Sequence, residues 1–275
     1  MPDIRELLAA ATLPGDSGPL EAELLLCHCL QQTRSYLYTW PEKTIDGELC
    51  ATFETLLDAR RRGTPVAYLT GLREFWSLQL QVDERTLIPR PATETLVEWA
   101  LELPLPKDAR VADLGTGSGA VALALASERL GWQLLATDIS DAALAVASLN
   151  ARRLGLANIE FLRSDWEHSL APGSFALIVS NPPYIALADP HLERGDLRFE
   201  PADALRSGID GLDAIRCIIA AAPACLCRGG WLLLEHGYDQ AEPVRQLLQS
   251  RGFSAVVTRP DLAGVERISG GMWGD

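Results

Sequence analysis

The sequence predicts an α/β protein, in which a doubly wound, mostly parallel sheet follows a small helical domain. Three observations carry this expectation. From Arg110 onward, apolar runs of strand length alternate with segments of helical period, the rhythm of βαβ units. Before residue 72, apolar residues recur at helical spacing. Between these regions Leu78, Leu80 and Val82 alternate with Gln79 and Gln81, and a period of two marks a strand or hairpin. The expected organisation is a helical domain at 1–72, a hairpin linker at 73–90 and an α/β domain at 91–275.

The elements follow in order. Ile4, Leu7, Leu8 and Thr12 share one helical face, and Leu20, Leu24, Leu25 and Leu30 share another after a turn rich in proline and glycine. Asp46 is the expected N-cap of a third helix that carries Leu49, Phe53, Leu56 and Leu57 and ends at Gly63. Thr64-Pro65 caps a short helix with proline at its first position, and Gly71 closes it. Leu87-Ile88-Pro89-Arg90-Pro91 reads as rigid and extended, and 93–103 as helix. Strands are expected at 110–114, 133–138, 158–163, 175–180, 230–235, 254–258 and 265–269. Helices are expected at 119–129, 141–153, 209–222 and 239–251.

Composition excludes several functions. The net charge is −13, with 24 basic residues against 37 acidic ones, which argues against a chain that grips a long nucleic-acid backbone. The basic run Arg60-Arg61-Arg62 closes a predicted helix, where cations oppose the negative dipole end. Cys27, Cys29, Cys50, Cys217, Cys225 and Cys227 form no C-x-x-C pair, and His28, His168, His191 and His236 show no paired spacing. We therefore expect reduced thiols and no metal. The N-terminus lacks a signal-peptide pattern and no apolar run is long enough to span a bilayer, so a cytoplasmic location is expected. No heptad or long apolar patch stands out, and a monomer is expected.

Two motifs carry chemistry. Gly115-Thr116-Gly117-Ser118-Gly119 links the first strand of the α/β region to its first helix, and Asp138 ends the second strand. Glycines let the backbone approach a ligand, a helix N-terminus offers free N–H groups, and a carboxylate at Asp138 can accept from both ribose hydroxyls of a nucleoside. Gly115-x-Gly117-x-x-Ala120 also satisfies the loose dinucleotide pattern, so a nicotinamide-dependent oxidoreductase stays open. The third glycine at 119 and Asp113 ahead of the turn favour S-adenosylmethionine. After the third strand, Asp165 can meet an adenine amino group and Trp166 can cover its face.

The second motif is Asn181-Pro182-Pro183-Tyr184, at the end of the fourth strand. An amide or arylamine nitrogen is a poor nucleophile because its lone pair is delocalised. The Asn181 side-chain oxygen and the Pro182 carbonyl can each accept one N–H of such an NH2 group, aiming the nitrogen at a sulfonium methyl. The prolines restrict the loop, and the Tyr184 ring can stack on the planar group. Two other readings compete: methylation of a nucleic-acid adenine, and a binding module without catalysis.

With these motifs, and with Arg73-Glu74-Phe75-Trp76, Leu87 to Pro91, Phe199-Glu200-Pro201, Ser207 to Leu212 and Leu234-Glu235-His236-Gly237, the chain resembles the HemK/PrmC family of glutamine N5-methyltransferases over nearly its whole length. Asn-Pro-Pro-Tyr alone is shared with DNA adenine methyltransferases. One departure is Ala92, where the family usually carries an acid within Arg-Pro-x-Thr-Glu; Thr93 and Glu94 remain. The resemblance implies a class I methyltransferase sheet of seven strands and an N-terminal domain that helps to hold a class-1 peptide release factor. It assigns Gly115 to Gly119, Asp138, Trp166 and Asn181 to S-adenosylmethionine, and Asn181 to Tyr184 to the glutamine of a Gly-Gly-Gln motif. A ribosomal-protein glutamine is the alternative substrate within the same chemistry.

Overall fold

The computed structural model describes residues 1–166 and 170–274, so His168 lies outside the described residues. The chain divides into two compact units, Met1–Leu72 with Glu193–Phe199, and Arg73–Leu192 with Glu200–Asp275.

The first unit holds five helices: α1 (Ile4–Ala10), α2 (Gly18–Leu30), α3 (Arg34–Thr39), α4 (Gly47–Arg61) and α5 (Val66–Thr70). Asp3 and Glu6 form a capping box on α1, and Asp46 caps α4 by accepting from Leu49 N at 2.9 Å. Ile4, Leu25, Leu26, Phe53 and Leu57 are fully buried in one core. Arg60 pairs with Glu21 and with Asp196. Three expectations need correction. Helix α1 ends at Ala10, so Thr12 lies beyond it. Pro65 sits in extended backbone as the cap of α5 rather than inside it. Helix α3 was not expected, because six residues hold too few apolar repeats to show a period.

The second unit begins with the hairpin β1 (Leu72–Phe75) and β2 (Leu78–Gln81). Its two turn residues, Trp76 and Ser77, both have positive φ, the geometry that favours Asn-Gly rather than these residues. Trp76 is held there by its backbone N–H on Glu94 Oε1 (2.9 Å) and its indole N–H on Glu128 Oε1 (2.8 Å). Then come α6 (Glu94–Glu102), β3 (Arg110–Leu114), α7 (Ala120–Glu128), β4 (Gln133–Asp138), α8 (Asp141–Leu154), β5 (Ile159–Arg163) and β6 (Phe175–Ser180). The unit finishes with α9 (Asp213–Cys225), β7 (Leu226–Glu235), α10 (Ala241–Arg251), β8 (Phe253–Pro260) and β9 (Glu266–Trp273).

Seven strands form one sheet in the order β5-β4-β3-β6-β7-β9-β8, with β9 antiparallel to both its neighbours and the other pairs parallel. Its central strands are apolar on both faces because both are covered. Val111, Leu177, Val179 and Leu233 enter one core with α6 and α7, while Ala112, Ile178, Leu232 and Leu234 enter the other with α9 and α10. Several boundaries moved, and β8 and β9 run on to Pro260 and Trp273, past the expected 258 and 269. Helix α9 starts at Asp213, not at 209, because Asp210 accepts from Leu212 N and Gly211 turns at φ +78°. Strand β7 begins at Leu226, a start hidden in the sequence by Gly229-Gly230, which lies opposite a register shift in β6.

The sheet order reverses direction at β3, whose neighbours are β4 and β6. Parallel strands end at a common edge, and ligands of such sheets bind there, at the switch point. The register makes the neighbours explicit: Leu114 pairs with both Thr137 and Ser180, Asp138 with Arg163, and Ser180 with Leu234. One residue further along, this row presents Gly115, Asn181 and Glu235, with Asp138 and Ser164 beside them.

Candidate active site

The first loop is built from its own segment. Gly115, Gly117 and Gly119 all take positive φ, which L side chains rarely adopt. At Gly119 an added Cβ would also lie 2.8 Å from Leu123 Cδ1 and 3.2 Å from Ala147 Cβ, so glycine is required for α7 and α8 to pack. Asp113, fully buried, accepts from Thr116 Oγ1 at 2.7 Å and from Ala122 N at 3.2 Å, tying the strand to the turn and to α7. Burial, the dominant cause, raises its carboxyl to about 7, although both hydrogen bonds oppose the rise. Asp138 accepts from Gly117 N and from Ser140 N, each at 2.9 Å. The carboxylate thus braces the glycine turn.

A cleft of about 550 Å³ opens at this edge. Among the residues lining it are Gly115, Gly117, Asp138, Asp165, Trp166, Asn181 and Pro183. Thr116, Ser118 and Gly119 are not among its lining residues, and neither are Pro182 and Tyr184. Trp166 has φ +51°, and its ring lies across Gly115, 3.5 Å from where a Cβ would stand. A side chain at 115 would press on that ring.

The second loop is held from a distance. Asn181 Nδ2 donates to Thr93 Oγ1 at 3.2 Å, which leaves the amide oxygen as the end available to accept. Tyr184 donates its hydroxyl to Glu235 Oε1 at 3.2 Å and packs its ring against the core of α9 and α10. Burial and then the Glu235 charge raise the phenol far above its ordinary value. The Tyr184 carbonyl accepts from Gln240 Nε2 at 3.0 Å, and the same amide nitrogen donates to Asp210 O at 3.2 Å. At Gly211 a Cβ would stand 2.2 Å from Tyr184 O. Downstream, Ile185 and Leu187 bond to Leu205 and Gly208 backbone, so the Ser207–Leu212 segment backs the loop.

Sequence reasoning missed several of these supports. Asn150, fully buried, donates to Ser118 O (2.9 Å) and Gln81 O (3.0 Å) and accepts from Gln81 N (2.7 Å), fastening the glycine loop to β2. The signal was present: Asn150 is the polar member of an apolar face with Val146, Ala147 and Ala151. Glu200, also buried, accepts from Ile88 N at 3.0 Å and from Arg90, and so pins the Ile-Pro-Arg-Pro segment. Glu94 and Thr93, the residues retained beside Ala92, make contacts of their own with Trp76 and Asn181. Burial lowers the affinity of His236 for a proton, and its ring nitrogens meet Gly237 O and Ser269 Oγ. None of the six cysteines is in a disulfide. Among the described residues no cluster suits a metal ion, and no helix is long and apolar enough to cross a membrane.

Comparison with known proteins bears on this site. Residues 3–71 match the family described as the PrmC N-terminal domain, and 91–195 that described as the Methyltransferase small domain. A Xylella fastidiosa protein named release factor glutamine methyltransferase is 52% identical over 272 residues, 98% of each chain. A Pseudomonas aeruginosa protein of the same name is 52% identical over 274 residues, 99% of each chain. One from Vibrio cholerae is 50% identical over 94% of this chain and 91% of its own. Among solved structures, a Pyrococcus furiosus methyltransferase superposes with a TM-score of 0.55 at 18% identity, covering 72% of this chain and 90% of that one; this likeness speaks to the fold alone. The seven-stranded sheet with its flanking helices is the class I methyltransferase fold. With identity near one half over 98–99% of its length, the chain belongs to the release factor glutamine methyltransferase family.

Proposed function

We propose that this chain transfers the methyl group of S-adenosylmethionine to the side-chain amide nitrogen of the glutamine in the Gly-Gly-Gln motif of class-1 peptide chain release factors. The observation that carries the reading is the polarity of Asn181. Its NH2 end is committed to Thr93, so its oxygen is the end left to accept from a substrate NH2 at a cleft shared with the glycine loop.

The residues present fit the methyl donor. The cleft is within the range of small-molecule sites. A Cβ at Gly117 would meet nothing within 4 Å, so the backbone is open on that side. Asp138 supplies a carboxylate to the ribose hydroxyls, Asp165 an acceptor to the adenine amino group, and Trp166 an apolar face. When bound, the donor supplies an electrophilic methyl on a sulfonium. Asn181 Oδ1 and the Pro182 carbonyl then hold the two amide hydrogens and keep the nitrogen in line. Tyr184, its hydroxyl fixed to Glu235 and its ring packed against the core, holds the loop from behind. Catalysis is positioning rather than proton transfer from a tuned acid or base. The helical unit, Met1–Leu72, supports holding the protein substrate, and the whole acts in the cytoplasm as a monomer.

The test is to incubate the protein with labelled S-adenosylmethionine and a purified class-1 release factor and map the label by peptide mass spectrometry. Label on the Gly-Gly-Gln glutamine supports the reading. Donor binding without transfer overturns the proposed substrate and moves the search to other glutamine-bearing proteins, then to nucleic acids.

A further inference from the structure

The substrate proposed above is a protein, so the chain on either side of its glutamine must lie against whatever borders the cleft. Three segments of the second unit meet beside the cleft at one side-chain amide. Gln240, buried, donates through Nε2 to Tyr184 O (3.0 Å) and to Asp210 O (3.2 Å), and accepts through Oε1 from Gly237 N (2.8 Å). The Asn-Pro-Pro-Tyr loop, the Ser207–Leu212 segment and the turn after β7 are thus held within reach of one another. Gly208 lines the cleft together with Asn181 and Pro183, and its carbonyl accepts from Leu187 N at 2.9 Å.

Each segment displays one large apolar side chain. Ile209, which follows Gly208, is 92% exposed; Tyr238, which follows Gly237, is 66% exposed, and Leu187 56%. Single exposed apolar residues are ordinary on a protein surface. What sets these apart is the fixed backbone beneath them. Gly208 and Gly211 turn at positive φ on either side of Ile209 and Asp210. An added Cβ would lie 2.0 Å from Asp213 Oδ2 at the first and 2.2 Å from Tyr184 O at the second. Asp210 pairs with Arg216 and accepts from Leu212 N at 3.1 Å. Fixing such a turn costs conformational entropy, and a side chain held out in water offsets none of it in the free protein. Covering that side chain with a partner is favourable, and its order is already in place.

We infer that Leu187, Ile209 and Tyr238 form an apolar docking rim, on which the release-factor chain flanking the target glutamine is buried while the glutamine enters the cleft. The inference rests on the functional reading above and gives it a surface for the protein substrate. The rim is continuous with the cleft through Gly208 and the Asn-Pro-Pro-Tyr loop. The partner's chemistry suits it. Glycines beside the glutamine expose only peptide planes and methylene groups, which pack closely on a tyrosine ring and on aliphatic methyls. The Asp210 carboxylate is taken by Arg216, so the turn that carries Ile209 offers apolar cover rather than charge.

The test compares Leu187→Ser, Ile209→Ser and Tyr238→Ser, singly and combined, with Leu130→Ser. Leu130 is 75% exposed just ahead of β4, at the opposite edge of the sheet. Each rim variant is expected to raise KM for the intact release factor about 3- to 10-fold, and the triple variant about 30-fold or more. The kcat at saturation and the dissociation constant for S-adenosylmethionine should stay within about twofold of wild type. Leu130→Ser should change none of these, and all variants should melt as the wild type does. Calorimetric binding of the release factor to protein loaded with S-adenosylhomocysteine reads docking without chemistry, and the triple variant should bind about 30-fold more weakly. Wild-type KM and affinity in the folded triple variant would overturn the rim. A loss in kcat alone would overturn it too, because it would make these residues supports of the catalytic loop. If the wild type binds the release factor through the rim but methylates it nowhere, the functional reading fails and the rim stands. If it binds no release factor, both fail. Self-association of the free protein that the triple variant abolishes would make this face a contact between two copies, and the proposal would fall.

Discussion

The loops that follow β3 and β6 lie side by side on the sheet edge, yet they are held in opposite ways. The glycine loop is braced mainly from its own βαβ unit, by Asp113, Thr116 and Asp138, with a further tie from Asn150 of α8. The Asn-Pro-Pro-Tyr loop is braced by Thr93 ahead of the sheet and by Gly211, Glu235 and Gln240 far beyond it. The difference matches the tasks proposed for the two loops. A nucleoside is a constant ligand that a local motif can grip. An amide nitrogen must be aimed, and aiming requires a loop whose every freedom is removed by its surroundings.

Substitutions can break this division. The largest effect is expected for Asn181→Ala: transfer to the release factor falls by about 100-fold or more, with a much smaller change in affinity for S-adenosylmethionine. Comparable losses in rate and affinity would show that the second loop mainly binds the donor. Asp138→Asn should behave conversely, raising the donor's dissociation constant about tenfold, a loss typical of a charged hydrogen bond, while kcat at saturation changes little. Calorimetric affinity equal to wild type would remove Asp138 from the donor site.

Stability separates the loops next. Gly119→Ala places a methyl against Leu123 at a left-handed backbone position, and Gly211→Ala drives one into the Tyr184 carbonyl. Each should cost about 1–3 kcal/mol in denaturant unfolding. Gly119→Ala should weaken donor binding and Gly211→Ala should lower kcat; a reversed pattern would mean that the two supports are coupled. Asn150→Ala strands Gln81 N and Ser118 O and should cost about 1–3 kcal/mol, and a neutral result would show that the tie to β2 is dispensable.

Stability should also depend on pH. Burial raises the Asp113 carboxyl from 3.8 to about 7. A carboxyl that binds its proton more tightly in the folded chain adds stability at low pH, and that stability is lost as the pH rises through about 7. Asp113→Asn cannot ionise, so the gap in melting temperature between wild type and variant should narrow from pH ~4 to pH ~7. A gap that stays constant across this window would place the raised carboxyl elsewhere.

Much of this molecule could be read before folding, and particular residues show where reading stopped. The strands at 110–114, 133–138 and 175–180 fall where their apolar runs placed them, since a strand buried on both faces must be apolar throughout. The start of α9 was missed because the Asp210–Gly211 turn competes with the helical period ahead of it. The turn at Trp76-Ser77 was invisible because tertiary bonds to Glu94 and Glu128 hold a conformation that its own residues disfavour. Tyr184 was expected to face a planar substrate, and its hydroxyl turned out to be anchored on Glu235.

The sequence by itself determined the two units' secondary structure in outline, the glycine turn with its acid, and the presence of Asn-Pro-Pro-Tyr. Those features rest on spacing within a few residues, which backbone geometry turns directly into local structure. Only the tertiary structure decided that Thr93, Glu235 and Gln240 converge on the second loop and that the Asn181 amide nitrogen bonds to Thr93. Strand order and register set those meetings, and they depend on how distant apolar faces pack together, a choice that no local window of sequence contains.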